Sequence, residues 1–201
     1  MLTEIALFPL SSVLMPLSRI PLQIFEKRYV DLVARCMREN EGFGVVWLQQ
    51  GSEVSGGSLD LPDISQLGTN ALIVDWDQLP NGLLGISIEG RQRFAVESVW
   101  READGLIKAE VLLDAPPGKV ALPNQYDGLA EVLKSLLRHP QVSQLNLPLD
   151  FADGWTVGFQ LAQLLPLDES IKHALLGVDS LEQLLEELDK LLREMSGEEP
   201  A

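Results

Sequence analysis

Cysteine is almost missing from this 201-residue chain, where Cys36 stands alone. An internal disulfide and a thiolate metal cluster are therefore excluded. Leu32 and Val33 are its helical neighbours, so Cys36 reads as a buried structural residue rather than a reactive thiol. Histidine is nearly as scarce: there are 2, His139 and His173. Neither belongs to a His-x-x-x-His or Glu-x-x-His pattern, which argues against metal binding. His139 precedes Pro140 at what reads as a helix end, where a cation complements the last carbonyls. Phosphate-binding loops are absent too. The sole G-x-G, Gly42-Phe43-Gly44, leads directly into Val45-Val46-Trp47 and not into a helix. No apolar run approaches the ~20 residues of a membrane span. The start, Met1-Leu2-Thr3-Glu4, carries an acid where a signal peptide carries bases. Together these absences imply a cytoplasmic chain with no cofactor, no metal and no membrane partner.

Positive charge is also short. Lys and Arg number 15 against 30 Asp and Glu, giving a net charge of −15 and a pI near 4.4. The imbalance is even, −7 up to Gly118 and −8 after it. Such a field repels nucleic acid and anionic membranes. It serves solubility, and it attracts basic or unfolded polypeptide weakly.

What is present divides in two. Thr3 to Phe8 alternates and stops at Pro9, as a sheet-edge strand does. Pro16 and Pro21 restrict Leu17 to Ile24 to a short irregular strand. From Glu26 a helix is predicted, with Phe25, Tyr29, Leu32, Val33, Cys36 and Met37 in one apolar stripe and Asn40 and Gly42 as stop signals. Phe43 to Gln49 reads as a strand buried on both faces. Gln50 to Pro62 reads as a Gly/Ser loop. Strands follow at Leu67–Trp76, Leu83–Ile88, Arg91–Arg101 and Leu106–Leu113. Turns at Pro80-Asn81-Gly82 and Asp104-Gly105 separate them, and Gly90 marks a bulge. Phe94, Val96, Ser98 and Trp100 are predicted to share a face. After Ala115-Pro116-Pro117-Gly118 only helical patterns remain: Pro123–Leu137, Phe151–Leu165, a short helix from Asp168 to Gly177, and a leucine-rich one after the capping box Ser180-Leu181-Glu182-Gln183. The fold class is therefore α+β. A β-rich, barrel-like domain over residues 1–116 carries one early helix, and a helical bundle follows over 117–201. Closure into a barrel would remove edge strands.

Few residues offer chemistry. Gly85-Ile86-Ser87-Ile88-Glu89 misses the nucleophile elbow by one residue and lies within a strand, so Ser87 is a strand residue. Asp75 and Asp77 should point to one side of their strand, as a paired-acid site or as a solvated strand end. Asp60 and Asp63 form a second carboxylate pair. Lys27, Arg28, Arg35 and Arg38 on the early helix, with Arg91 and Arg93 after Gly90, read either as salt bridges that lock the helix to the barrel or as a groove for a peptide. In the structural version Phe25 and Tyr29 seat the helix, and Glu26 and Arg28 tie it to Arg91, Arg93 or nearby backbone.

One stretch carries more. Leu7-Phe8-Pro9-Leu10, Pro21-Leu22, Ile24-Phe25-Glu26 and Arg28-Tyr29 resemble the start of the N-terminal, substrate-binding domain of the Lon protease, the LON domain. Phe43-Gly44-Val45-Val46, Gly68-Thr69 and Gly90-Arg91-Gln92-Arg93-Phe94 look like later segments of the same family. Leu164-Leu165-Pro166, Lys172, Leu175 and Leu176 look like its helical end. The resemblance implies a PUA-like barrel followed by helices. It implies a stand-alone LON-domain protein that is not an enzyme, since the ATPase and serine–lysine peptidase of those proteases are separate domains. Some relatives of the barrel bind RNA, but the charge argues against RNA here.

Three roles stay open. The first is a non-catalytic module that binds proteins or unfolded polypeptide, as a substrate-recognition or quality-control adaptor. Its binding residues would come from Glu26, Arg28, Tyr29, Arg91 and Arg93. The second is assembly through the last helix, with the oligomeric state undetermined. The third is an enzyme of unrecognised type using Asp75, Asp77 or Glu26.

Overall fold

The first apolar stretch of the chain, Leu2–Leu10, forms strand β1 in a computed structural model that describes residues 2–50 and 61–197. It is followed by β2 (Arg19–Ile24), α1 (Lys27–Glu39), β3 (Phe43–Gln50), β4 (Asp63–Gln78), β5 (Leu84–Arg101) and β6 (Ile107–Leu113). The six strands make one sheet in the order β2-β5-β4-β3-β1-β6, and β5 pairs with β6 as well. β5 is long enough to do this: Leu84–Glu89 meets β2, and Phe94–Arg101 meets β6, while β4 lines its other edge. The β1–β3 pairing is parallel, and every other is antiparallel. The chain is thus mixed α+β. Its elements fall into two units, Met1–Pro116 and Pro117–Ala201.

β1 corrects the expectation of an edge strand. It lies between β3 and β6, and Pro9 is inside it. The β6 pairing ends at Leu7, while β3 pairs from Leu7 to Leu10. Pro9 therefore sits where only one flank of β1 is paired, so its missing N–H breaks no ladder. The predicted Gly/Ser loop falls mostly on 51–60, outside the described residues, as does Asp60.

Residues 11–18 carry the chain from β1 to β2 with Val13, Leu14 and Met15 buried. The crossing is pinned at Gly90, whose N–H donates to the Ser18 carbonyl and whose carbonyl accepts from the Leu17 N–H, both at 2.9 Å. A Cβ at Gly90 would overlap the Met15 carbonyl oxygen. Gly90 also borders a register shift, Thr69 pairing with Arg93 and Ala71 with Gly90, so the expected bulge is present. A second shift lies between Val96 and Ser98. It reverses the alternation, so Phe94, Val96 and Val99 face the core, not Ser98 and Trp100.

Two apolar clusters fill this unit. One unites Phe8, Leu10, Ile24 and Ile88 with Tyr29, Leu32, Val33 and Cys36 of α1. The other gathers Leu7, Val46, Phe94, Ile107, Ala109 and Val111. The α1 stripe is narrower than expected. Met37 is exposed and Phe25 is 57% exposed. Phe25 precedes the N-cap Glu26, whose backbone is extended, so the 100° helical step does not reach it.

The second unit contains α2 (Asp127–Leu136) after a 3₁₀ turn, α3 (Pro140–Ser143), α4 (Gly154–Leu164), α5 (Glu169–Leu176) and α6 (Leu181–Ser196). α4 is buried almost all round and packs on α2, α5 and α6. It starts three residues later than its apolar run, because the Asp153 carboxylate caps it, accepting from the Thr156 N–H at 3.0 Å. Leu165 is extended ahead of Pro166 and ends it. Ser180 caps α6 by accepting from the Gln183 N–H at 3.2 Å. Leu181, Leu184, Leu185 and Leu188 of α6 are buried. His139 follows the end of α2, its N–H donating to the Leu136 carbonyl at 3.0 Å, and it stands just before α3, where its side chain makes no cap bond and Pro140 is in the first turn.

Candidate functional site

Strand β2 reads Arg19-Ile20-Pro21-Leu22-Gln23-Ile24, and its alternation decides what it shows. Ile20, Leu22 and Ile24 pack on the core, while Pro21 and Gln23 are exposed. β2 ends the strand order and pairs with β5 alone among the described residues. Pro21 stands opposite Ser87. Having no N–H to give, Pro21 removes one donor from this strand and suits an edge position.

The chain then turns into α1 through Phe25 and Glu26. Glu26 makes no side-chain cap bond. Its carboxylate instead accepts from Arg28, Nε to Oε2 at 3.0 Å and Nη2 to Oε1 at 3.3 Å. Arg28 Nη1 donates to the Gly105 carbonyl at 2.9 Å, which joins α1 to the β5–β6 turn. The Arg28 guanidinium lies 4.4 Å from the Tyr29 ring centre. Tyr29 stacks on Phe8 with ring centres 3.9 Å apart. Glu26, Arg28 and Tyr29 thus form one linked group.

Arg91 and Arg93 do not join it. Arg91 pairs with Glu89 at 2.9 Å, and Arg19 takes the other oxygen of that carboxylate at 2.7 Å. Glu89 is 5% exposed, and these two guanidinium groups make its burial tolerable. Arg93 pairs with Asp114 at 3.2 Å. The expected tie from Glu26 to Arg91 or Arg93 is therefore replaced. Lys27, next to Glu26 in sequence, pairs with Asp31, and Arg28 two positions on takes Glu26 and also reaches backbone.

Two hollows flank β2 and share Pro21, Leu22 and Gln23. One, about 160 Å³, is bounded by Phe8, Leu10, Ile24, Phe25 and Tyr29. The other, about 250 Å³, is bounded by Asp75, Trp76, Asp77, Leu79 and Ile86. Trp76 is 59% exposed. It belongs to the outer end of β4, after a register shift between Ile73 and Asp75. A third hollow, about 480 Å³, lies between the end of α1 and β4 and shares Asp75 and Trp76 with the second. Asp75 Oδ1 accepts the Trp76 N–H at 2.9 Å, and Asp77 Oδ1 accepts the Gln78 N–H at 2.7 Å.

Among the described residues that border these hollows, no histidine or lysine stands beside a serine or carboxylate. Ser87 lines a hollow with no histidine or lysine beside it. Burial raises the Cys36 thiol above its ordinary value, which suits a structural role. Among the described residues no group of three or more His, Cys, Asp or Glu gathers to hold a metal ion. None of the described helices is long and apolar enough to cross a membrane. What the surface offers is exposed aromatic area beside shallow apolar hollows. Sequence reasoning missed both aromatics, treating Phe25 as a helix seat and Trp76 as an ordinary strand residue. The signal for Trp76 was present: a tryptophan between two aspartates, next to a turn, belongs to a solvated strand end.

The model of the ATP-dependent protease La (LON) substrate-binding domain matches residues 4–194. The crystal structure of a Lon N-terminal domain protein from Xanthomonas campestris superposes with a TM-score of 0.70 at 33% identity, over 92% of this chain and 96% of that one. The N-terminal domain of a Mycobacterium avium complex Lon protease has the same fold, with a TM-score of 0.58 at 12% identity over 92% and 96% of the two chains. No curated protein matches the chain.

Proposed function

The chain belongs to the LON substrate-binding domain family, and from that membership we propose that it is a non-catalytic module that holds proteins or unfolded polypeptide as a substrate-recognition or quality-control adaptor. Family membership supports a role in binding protein substrates. The observation that carries the adaptor reading is the surface beside β2: two hollows meet at Pro21-Leu22-Gln23, with Phe25 and Trp76 each more than half exposed. Large, rigid, exposed aromatics next to apolar hollows anchor partners at low entropic cost. Glu26, Arg28 and Tyr29 fix the β2–α1 corner that presents Phe25. Arg91 acts through Glu89 on Arg19 of β2, so it supports the same strand. We read the pairing of β5 with β6 as closure of a PUA-like barrel. We read residues 1–116 and 117–201 as two domains, the second a helical bundle.

The test is binding of a fluorescent, reduced and alkylated polypeptide that cannot refold. Phe25→Ala with Trp76→Ala is expected to weaken binding at least about tenfold, the scale of losing two aromatic anchors. Circular dichroism of the variant should match the parent. Unchanged binding in a folded double variant overturns the reading. The assembly alternative has less support, because the leucines of α6 from Leu181 to Leu188 are already buried.

A further inference from the structure

We propose that the hollow beside Trp76 reads a lysine or arginine side chain in the bound segment. This rests on the polypeptide-binding reading above and adds the chemistry of one position. Three observations converge on a long cation. The walls supplied by Pro21, Leu22, Leu79 and Ile86 are apolar, which suits the methylene stem of Lys or Arg. Trp76 offers an exposed indole face beside them, the best aromatic partner for a cation. Asp75 and Asp77 border the same hollow, and among the described residues neither has a Lys or Arg partner. Several other carboxylates of this unit do. Glu4 is held by Lys108, Glu26 by Arg28, Asp31 by Lys27, Glu89 by Arg19 and Arg91, and Asp114 by Arg93. Glu41, Asp63, Glu97, Asp104 and Glu110 do not; Asp75 and Asp77 differ from those five in bordering the apolar hollow at Pro21, Leu22 and Ile86. The acids at Trp76 are therefore charges left open at an apolar, aromatic-walled hollow. A neutral apolar side chain would leave them unanswered, and an acidic one would be repelled. The occupant is a segment of unfolded polypeptide with a basic residue among apolar ones. The net charge of −15 adds long-range attraction for such a segment, but the local geometry selects the residue.

The experiment compares two labelled peptides that are identical except for a central arginine or its neutral isostere citrulline, both flanked by apolar residues. Fluorescence anisotropy with the full chain is expected to show the arginine peptide binding about tenfold tighter at low salt, the size of one charge-assisted contact. The gap should narrow as salt rises. Asp75→Asn with Asp77→Asn should bring the arginine peptide down to the citrulline level and leave the citrulline peptide unchanged. A control, Glu97→Gln with Glu110→Gln, removes the same charge from exposed positions outside the hollow and should leave the gap intact. Equal binding of the two peptides, both lost in Trp76→Ala, overturns this inference and leaves the polypeptide-binding reading standing. If the control closes the gap as fully as the aspartate variant, the overall field does the selecting and the inference is wrong. If neither peptide binds, the reading beneath it fails as well.

Discussion

Gly90 shows what a single residue decides here. It has no side chain because the backbone of Met15 occupies that space, and its N–H and carbonyl both hold residues 17–18. Gly90→Ala is expected to destabilise the chain by about 2–3 kcal/mol, since the obstacle is backbone and cannot rotate away. A lower urea midpoint at unchanged slope would register it. An unaltered midpoint would mean that residues 11–18 shift freely. The sequence marked Gly90 as an irregular strand position, which is correct as local chemistry. It could not name Met15, 75 positions earlier in the chain, as the reason. The same limit applies at Glu26 and Arg28. Their pairing is two residues long and readable, whereas the Arg28 bond to the Gly105 carbonyl spans 77 residues and is not.

Among the elements, β1 and β6 are joined by an ion cluster that sets a pH response. Lys108 of β6 donates to Glu4 of β1 at 2.8 Å and lies 3.3 Å from Glu102. Glu102 accepts from the Trp100 indole N–H, then from Lys108, and both hold its carboxyl below the ordinary value of 4.5. Unfolding therefore takes up a proton on Glu102 as acid is added. Its contribution is present above about pH 4.5 and is lost as pH falls through the lower folded value. Lys108 is raised above 10.5, chiefly by the Glu4 bond, so its contribution is present below that value and lost as pH rises through the folded one. Glu102→Gln is expected to be less stable than the parent at pH 7 and equal to it at pH 2, with a shallower decline between. Denaturant melts across that range check it, and parallel curves would remove Glu102 from the acid response. Element identities were largely legible, because apolar periodicity and the Asn81-Gly82 and Asp104-Gly105 turns are local signals. The face of β5 beyond Val96 was not, since a bulge reverses alternation and Ser98 carries no mark of it.

For the whole molecule, the two apolar clusters of the first unit and the pairings of its six strands, among the described residues, are formed by residues up to Leu113. The segment 1–116 expressed alone is therefore expected to fold and to bind the alkylated polypeptide as the full chain does, because Pro21, Leu22, Phe25 and Trp76 all belong to it. Dispersed amide resonances and an unchanged dissociation constant would agree. An unfolded fragment would overturn the two-domain reading. By itself the sequence determined the α+β class, the change of character at Pro116–Pro117, the exclusion of thiolate metal clusters and phosphate loops, and, through Leu7–Leu10 and Ile24–Tyr29, the family. Each of these is a property of composition or of near neighbours along the chain. Only the tertiary structure decided that β1 lies inside the sheet, that β5 serves both β2 and β6, that Arg91 and Arg93 answer Glu89 and Asp114 rather than Glu26, and that Phe25 and Trp76 face outward beside the same strand. Each of those depends on which distant segments meet. Apolar burial rewards contact regardless of sequence distance, so the partner of a residue is set by packing and register, which no local pattern encodes.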